Sequence, residues 1–131
     1  MGGTGRSQWL RRALLAKAVF CVVVWGLPAL LMPLSLAPLF GLQIPTDPTF
    51  FRLFGALVTA VGVLYWQGYL DPVKNVAIVR FGVADNGLIV LTLAVLALTS
   101  GITSWFIWLS GVLAAIFAVA FALWMPGAEE E

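Results

Sequence analysis

Long apolar segments are the feature that most constrains how this chain can fold. A helix that crosses the hydrocarbon core of a bilayer, about 30 Å thick, needs about 20 apolar residues, and the sequence offers four such segments. Hydrophobic residues make up 62% of the chain and charged residues only 10%, with a mean hydropathy of +1.03, a composition typical of polytopic membrane proteins. We therefore expect an all-α fold: one antiparallel bundle of four transmembrane helices that forms a single domain over residues 1–131.

The expected spans are residues 8–32, 48–69, 76–99 and 103–125, with short flexible tails at both ends. Pro28 should bend the first span, since proline removes a backbone hydrogen bond and clashes with the preceding turn. Asp47 is placed to cap the second helix, with Pro48 at its first position. The proline-rich segment between these two spans is expected to lie as a loop on the membrane surface.

The start of the third span follows from its length. The stretch TSGITS at residues 99–104 predicts a tight turn between the last two helices. The apolar run from Gly87 to Thr99 is too short to cross a bilayer. We therefore expect the third helix to begin near Val76, which places Arg80, Asp85 and Asn86 inside it.

These three polar residues form the candidate ligand or polar-cluster site. Arg80 and Asp85 are separated by about 500° of helical rotation, so they should not form an ion pair with each other. Arg80 can reach the headgroups with its long side chain. Asp85 and Asn86 lie deeper and need partners, for which the candidates are Tyr65, Gln67 or Tyr69, and Arg80 of a neighbouring subunit.

Three interpretations of this segment stay open. Residues 84–87 (ADNG) can be a cytoplasmic turn that precedes a short third helix. They can instead belong to a structural polar cluster that ties the second and third helices together. The third interpretation is a substrate or proton site, because ionisable residues inside a membrane are functional candidates by default.

Arg52 is a separate candidate near the outer end of the second helix. Its side chain can extend to the outer headgroups, or it can bind an anion or a lipid headgroup.

Small residues recur at helical spacing in two of the spans and predict seams for helix packing. In the second span these are Gly55, Thr59 and Gly62, and in the fourth they are Gly111, Ala115, Ala118 and Ala122. The seams can serve packing within one bundle or between subunits.

The distribution of Lys and Arg predicts the orientation in the membrane. Four basic residues precede or begin the first span, two lie between the second and third, and only Arg52 is near the other side. We expect a multi-pass protein of the bacterial inner membrane with both termini in the cytoplasm. Aromatic residues predicted to anchor the helices at the membrane interfaces are Trp9, Tyr65, Trp66, Tyr69 and Trp124 on the inner side and Trp105 and Trp108 on the outer side.

Several classes of function lack the residues that they need. The chain has one cysteine and no histidine, which excludes an intramolecular disulfide and the usual zinc, haem and copper ligand sets. A net charge of +1 argues against nucleic-acid binding. No catalytic triad or paired carboxylates within a span are present, so we expect no enzyme activity, no cofactor and no metal site.

The segment FRLFGALVTAVGVLYWQGYLDPVKNVAIVRFGVADN, residues 51–86, resembles small bacterial DoxX-like four-helix membrane proteins. The shared features are an arginine, spaced glycines, an aromatic helix end and the polar segment that follows. The resemblance implies a four-helix bundle in which Arg52, Gly55 and Gly62 match the family pattern. It implies no catalytic residues, since that family has no common activity.

Two functions are therefore considered. The first is a structural or accessory subunit that packs against a larger membrane complex or against further copies of itself within the lipid bilayer. The alternative is a small transporter or a lipid-binding or quinone-binding protein that uses the polar cluster in the inner half of the third helix.

Overall fold

The computed structural model describes residues 2–127, and it is all-helical with four helices long and apolar enough to cross a membrane. The first span runs over Gly5–Leu31 and consists of α1 (Gly2–Val19), a π-helical segment (Phe20–Gly26) and α2 (Leu27–Leu31). The other three are α3 (Thr49–Leu70), α4 (Val76–Thr99) and α5 (Trp105–Leu123). A 3₁₀ helix, Leu34–Phe40, lies between the first span and α3.

A π-helical segment precedes Pro28 and accommodates the proline within the first span. The amide of Leu27 donates to the carbonyl of Val22, five residues back. The wider π turn leaves room for the proline ring, which would clash with the carbonyl four residues earlier in a regular α-helix. The helix continues through Pro28 and ends at Leu31.

The first helix is longer than predicted. α1 already begins at Gly2, six residues before the expected start of the first span, so helical turns stand where an N-terminal tail is expected. Arg6 holds this end by donating a hydrogen bond to the carbonyl of Met125, just beyond α5. Residues 128–131 of the predicted C-terminal tail lie outside the described residues.

The start of α3 is set by Asp47, whose carboxylate accepts hydrogen bonds from the Thr49 amide at 2.9 Å and the Thr49 hydroxyl at 2.6 Å. These bonds hold the pKa of Asp47 below its usual value. Helix α3 begins at Thr49, one residue later than predicted, and Pro48 precedes it. The start of α5 is capped in the same way by Ser104, whose hydroxyl accepts from the Ile107 amide.

The helices associate as two pairs. One pair is the first span with α3, which touch along their lengths, and the other is α4 with α5. α3 and α4 have few contacts with each other, as do α1 and α5. The pairs meet in a core at the end of the molecule that carries residues 6 and 125. That core contains Leu10, Leu14, Tyr65, Val79, Phe117 and Phe121.

Glycines bring α3 close to the first span. A Cβ atom on Gly55 would lie 2.7 Å from the Ala29 carbonyl carbon and 2.8 Å from the Gly26 oxygen. A Cβ on Gly62 would meet Val22 and Cys21. Both positions belong to the predicted α3 seam, and in this structure they face another helix of the same chain.

Candidate functional site

A hydrogen-bonded cluster lies inside the bundle, between α3 and α4. The Tyr65 hydroxyl donates to Oδ2 of Asp85 at 2.8 Å and accepts from Nδ2 of Asn86 at 3.3 Å. Nδ2 of Asn86 also donates to the carbonyl of Gly82 at 2.7 Å. The amide therefore positions the Tyr65 hydroxyl so that its proton points to the Asp85 carboxylate.

Gly82 makes room for this cluster. A Cβ atom at that position would lie 2.6 Å from Cδ2 of Phe121 and 3.1 Å from Cε1 of Tyr65. The absent side chain lets α4 approach these two stacked rings, whose centroids are 5.7 Å apart. Tyr65 is fully buried as a result.

Lys17 of α1 extends the cluster. It is only 2% exposed, and its ammonium lies 4.8 Å from the ring centroid of Trp25, 5.2 Å from that of Phe117 and 5.8 Å from that of Tyr65. Such cation–π contacts stabilise a positive charge in an apolar setting. Within residues 2–127 the ammonium forms neither a hydrogen bond nor an ion pair.

The position of Lys17 follows from helical spacing. Leu10, Leu14, Lys17 and Cys21 are all buried and recur at intervals of three and four residues, so they share one face of the helix. That face packs against the core, so the side chain of Lys17 is buried inside the bundle.

A cavity of about 730 Å³ opens beside the cluster. Its size falls within the range of sites that hold small molecules and cofactors. Lys17, Asp85 and Cys21 line it at one end, and apolar side chains form most of its remaining wall. The apolar lining includes Val24, Trp25, Pro28, Phe51, Phe54, Val58, Phe81, Leu88, Phe106 and Ile107.

The cavity is exposed on the side where α3 and α4 separate. The lining residues with exposed side chains all come from these two helices: Phe54, Phe81, Ala84, Leu88, Ile89 and Thr92. Lining residues from the first span and α5 are buried or half-buried. The opening between α3 and α4 therefore faces outward from the bundle, where the acyl chains of a bilayer would lie. We call it the lateral opening.

The segment before α3 covers the end of the cavity that is remote from Lys17. Phe40 and Leu42 line the cavity there. The Phe40 carbonyl accepts from the Ser104 hydroxyl at 2.6 Å, and the Leu39 carbonyl accepts from the Trp105 indole at 3.1 Å. The predicted surface loop is thus partly a 3₁₀ helix that is tied to the start of α5.

The structure decides between the interpretations of residues 84–87. All of them are helical and belong to α4, so the interpretation as a cytoplasmic turn is wrong. Among the predicted partners of Asp85, Tyr65 is in contact with it. Arg80 is exposed and does not line the cavity. Its grouping with Asp85 and Asn86 stays a prediction.

The prediction that Tyr65 anchors its helix at a membrane interface is wrong, because the side chain is fully buried. The sequence could not show this, since an aromatic residue near a helix end suits both roles. The other predicted anchors are at least partly exposed. Trp9 stacks on Trp124 with centroids 5.9 Å apart at one end, and Trp108 donates to the Ile102 carbonyl at the other. Trp66, Tyr69 and Trp105 are exposed or half-buried as well.

Arg52 and the α5 seam lie away from the cluster. The Arg52 guanidinium donates to the Ala29 carbonyl at 3.1 Å, which ties α3 to α2. Gly111 of the seam lies against Leu93 of α4. In the α3 seam, the Thr59 hydroxyl donates a hydrogen bond to the Gly55 carbonyl of the same helix. Ala115 and Ala118 are half-buried, and Ala122 is exposed.

Lys17 is a residue of this cluster that the sequence does not predict as a site. In the sequence it is one of the basic residues that predict the orientation in the membrane. The signal that could have found it is its depth: it follows Arg11 and Arg12 by more than one helical turn and shares a face with Leu10 and Leu14.

The described part of the chain contains no group of three Cys, Asp or Glu side chains that could hold a metal ion. The cluster instead offers an ammonium, a carboxylate and a tyrosine hydroxyl at the end of an apolar cavity. Comparison with protein families, with curated proteins and with solved structures finds no match to this chain.

Proposed function

We propose that this protein binds an amphipathic lipophile, a lipid or a quinone, in the cavity between its two helix pairs. The head of the ligand lies at Lys17 and Asp85, and its apolar body fills the rest of the cavity. The observation that carries the proposal is the Lys17 ammonium, which is buried, lines the cavity and has no hydrogen-bond partner within residues 2–127.

A lysine in this position is costly for a purely structural protein. Placing Lys at the centre of a membrane helix costs about 3 kcal/mol on insertion scales, and methionine or leucine would fill the same space without that cost. Cation–π contacts offset part of it, but they leave three N–H donors unused. A ligand acceptor would use them.

The cavity walls support an apolar ligand body. Rings and branched aliphatic side chains line most of the volume, which suits an acyl or isoprenoid chain. The lateral opening supports direct exchange with the bilayer, because a lipophile could pass between α3 and α4 without crossing water.

A direct test is to identify what the protein retains. We would extract it gently from native membranes, measure the intact mass and identify the bound small molecules. We expect a lipid or quinone adduct that is lost in Lys17→Met and kept in the matched control Lys74→Met, since Lys74 is exposed and pairs with Asp71. Wild-type protein without an adduct, and without affinity for added lipids or quinones, would contradict the proposal.

The accessory-subunit function stays a prediction. The α5 seam gives it no independent support, because Gly111 is already in contact with α4 of the same chain. The extraction experiment tests it too: a defined protein partner at constant stoichiometry would favour a subunit of a larger complex.

Location in a bacterial inner membrane, with cytoplasmic termini, is likewise part of the proposal. It is supported by the clustering of basic residues at one end, where Arg6 contacts Met125 and Arg11 donates to the Tyr69 carbonyl. Arg52 lies near the start of α3, towards the other end. The resemblance to DoxX-like proteins is compatible with this arrangement and remains a hypothesis.

A further inference from the structure

Two opposite charges line the same end of the cavity without touching each other. Lys17 and Asp85 both face the cavity and are close enough to interact electrostatically. They nevertheless form no ion pair. We call these two residues, together with the Tyr65 hydroxyl, the cavity floor.

Both charged groups have hydrogen-bonding capacity left. Asp85 accepts from Tyr65 through Oδ2, and a carboxylate has further lone pairs to offer. The Lys17 ammonium contacts the ring faces of Trp25, Tyr65 and Phe117. The floor therefore presents donors and an acceptor, side by side, to whatever occupies the cavity.

We infer that the ligand head is uncharged and carries both a hydrogen-bond acceptor and a donor, as a hydroxyl group does. This inference rests on the proposed function and narrows its ligand class to a hydroxyl-bearing lipophile, such as a lipid alcohol or a quinol, and not an oxidised quinone. The hydroxyl oxygen accepts from the Lys17 ammonium, and its hydrogen is donated to the Asp85 carboxylate. One small head thereby bridges two charges that the protein leaves apart.

Charge balance disfavours a head that carries a net charge. The ammonium and the carboxylate sum to zero, so an anionic or cationic head would leave a net charge inside an apolar membrane, which is unfavourable. An ether or a ketone accepts from Lys17 but brings no donor to Asp85. The carboxylate would then lose hydration without a replacement bond.

The test compares four compounds that share one alkyl chain: hexadecanol, hexadecyl methyl ether, palmitate and hexadecylamine. Each is used in radiolabelled form with protein captured in detergent, and binding is corrected for label in empty micelles. For the wild-type protein we expect hexadecanol to bind most tightly. The methyl ether should bind about tenfold more weakly, because it lacks the hydrogen bond donated to a charged group.

Two variants shift the charge of the floor in opposite directions. Asp85→Asn leaves it positive, so palmitate should become the preferred compound. Lys17→Met leaves it negative, so hexadecylamine should become preferred. Lys74→Met is the matched control and should keep the wild-type order, because Lys74 is exposed and remote from the cavity.

The outcomes separate the inference from the function on which it rests. Wild-type preference for palmitate or hexadecylamine, or for the ether over the alcohol, would overturn the uncharged-head inference and leave lipophile binding intact. An unchanged order in a folded Asp85→Asn or Lys17→Met variant would also overturn it. Binding of none of the four compounds would count against the proposed function itself. The wild-type ranking decides even if a variant fails to fold.

Discussion

At the scale of single residues, the molecule depends on a short chain of hydrogen bonds inside the bundle. Asn86 donates to Tyr65, and Tyr65 donates to Asp85. The Oδ1 atom of Asn86 is buried and accepts no hydrogen bond within residues 2–127. An unsatisfied buried acceptor costs about 1–3 kcal/mol, so any favourable contribution of this amide comes from the hydrogen bonds that its Nδ2 donates.

Removing the hydroxyl of Tyr65 tests this chain. We expect Tyr65→Phe to lower the free energy of unfolding by about 0.6 kcal/mol and by no more than about 1.7 kcal/mol, the mean and the maximum measured for hydrogen bonds between membrane helices. The ring contacts with Phe121 remain. Unfolding in mixed micelles with rising denaturing detergent measures the change.

Tyr69→Phe is the matched control, because the contacts of Tyr69 within the described residues involve its ring and its carbonyl rather than its hydroxyl. It should unfold like the wild type. Equal losses in the two variants would mean that the Tyr65 hydroxyl contributes nothing specific.

At the scale of helices, contact distance distinguishes glycines that look alike in the sequence. A Cβ atom on Gly55 would clash with backbone atoms of α2, whereas one on Gly87 would meet nothing within 4 Å. Both residues lie in the interior of a long helix.

We expect Gly55→Ala to destabilise the protein by about 1–3 kcal/mol, because the backbone of α2 cannot move aside cheaply. Gly87→Ala should leave stability unchanged or raise it by up to about 1 kcal/mol through better helix propensity. Thermal unfolding of both variants in detergent gives the comparison. Similar behaviour of the two would contradict the close approach of α3 to the first span.

The lateral opening is the expected route by which a small molecule enters the cavity from the bilayer. Cys21 is the chain's single cysteine and lines the cavity, so its modification by a membrane-permeant thiol reagent reports on passage through the opening. We expect Ala84→Trp to slow this modification several-fold, because the indole would fill part of the gap between α3 and α4.

Ala94→Trp provides the comparison, since Ala94 is exposed on the same helix but does not line the cavity. Its Cys21 should react at the wild-type rate, as followed by intact mass. Equal rates in the two variants would show that the reagent reaches Cys21 by another route.

At the scale of the whole molecule, orientation can be tested with reporter fusions. A reporter that is active only outside the cytoplasm should be silent when fused after Glu131 and active when fused after Gly101, in the turn between α4 and α5. Positive charge at the end with the termini is the physical reason. The reverse pattern would invert the proposed topology.

Hydropathy and length predicted most of the fold. The four apolar segments and the length of a full span predict the start of α4 near Val76, where it lies. The position of Asp85 inside that helix predicts that it needs a partner, and Tyr65 is one of the predicted partners. The cavity could not be predicted in the same way. In a membrane, a helix face is apolar whether it meets lipid, another helix or an empty space, so periodicity does not tell these surroundings apart.

The arrangement of the two helix pairs has a mechanical consequence. Between α3 and α4 the chain connects the pairs only through residues 71–75, beside the core, while the cavity occupies the space beyond. Far from that connection, the pairs are joined by the Ser104 bond to Phe40 and by the Trp25 indole, which donates to Ser110 at 2.7 Å. The packed core therefore acts as a hinge between the two helix pairs. The few hydrogen bonds at the far end limit how widely α3 and α4 separate at the lateral opening.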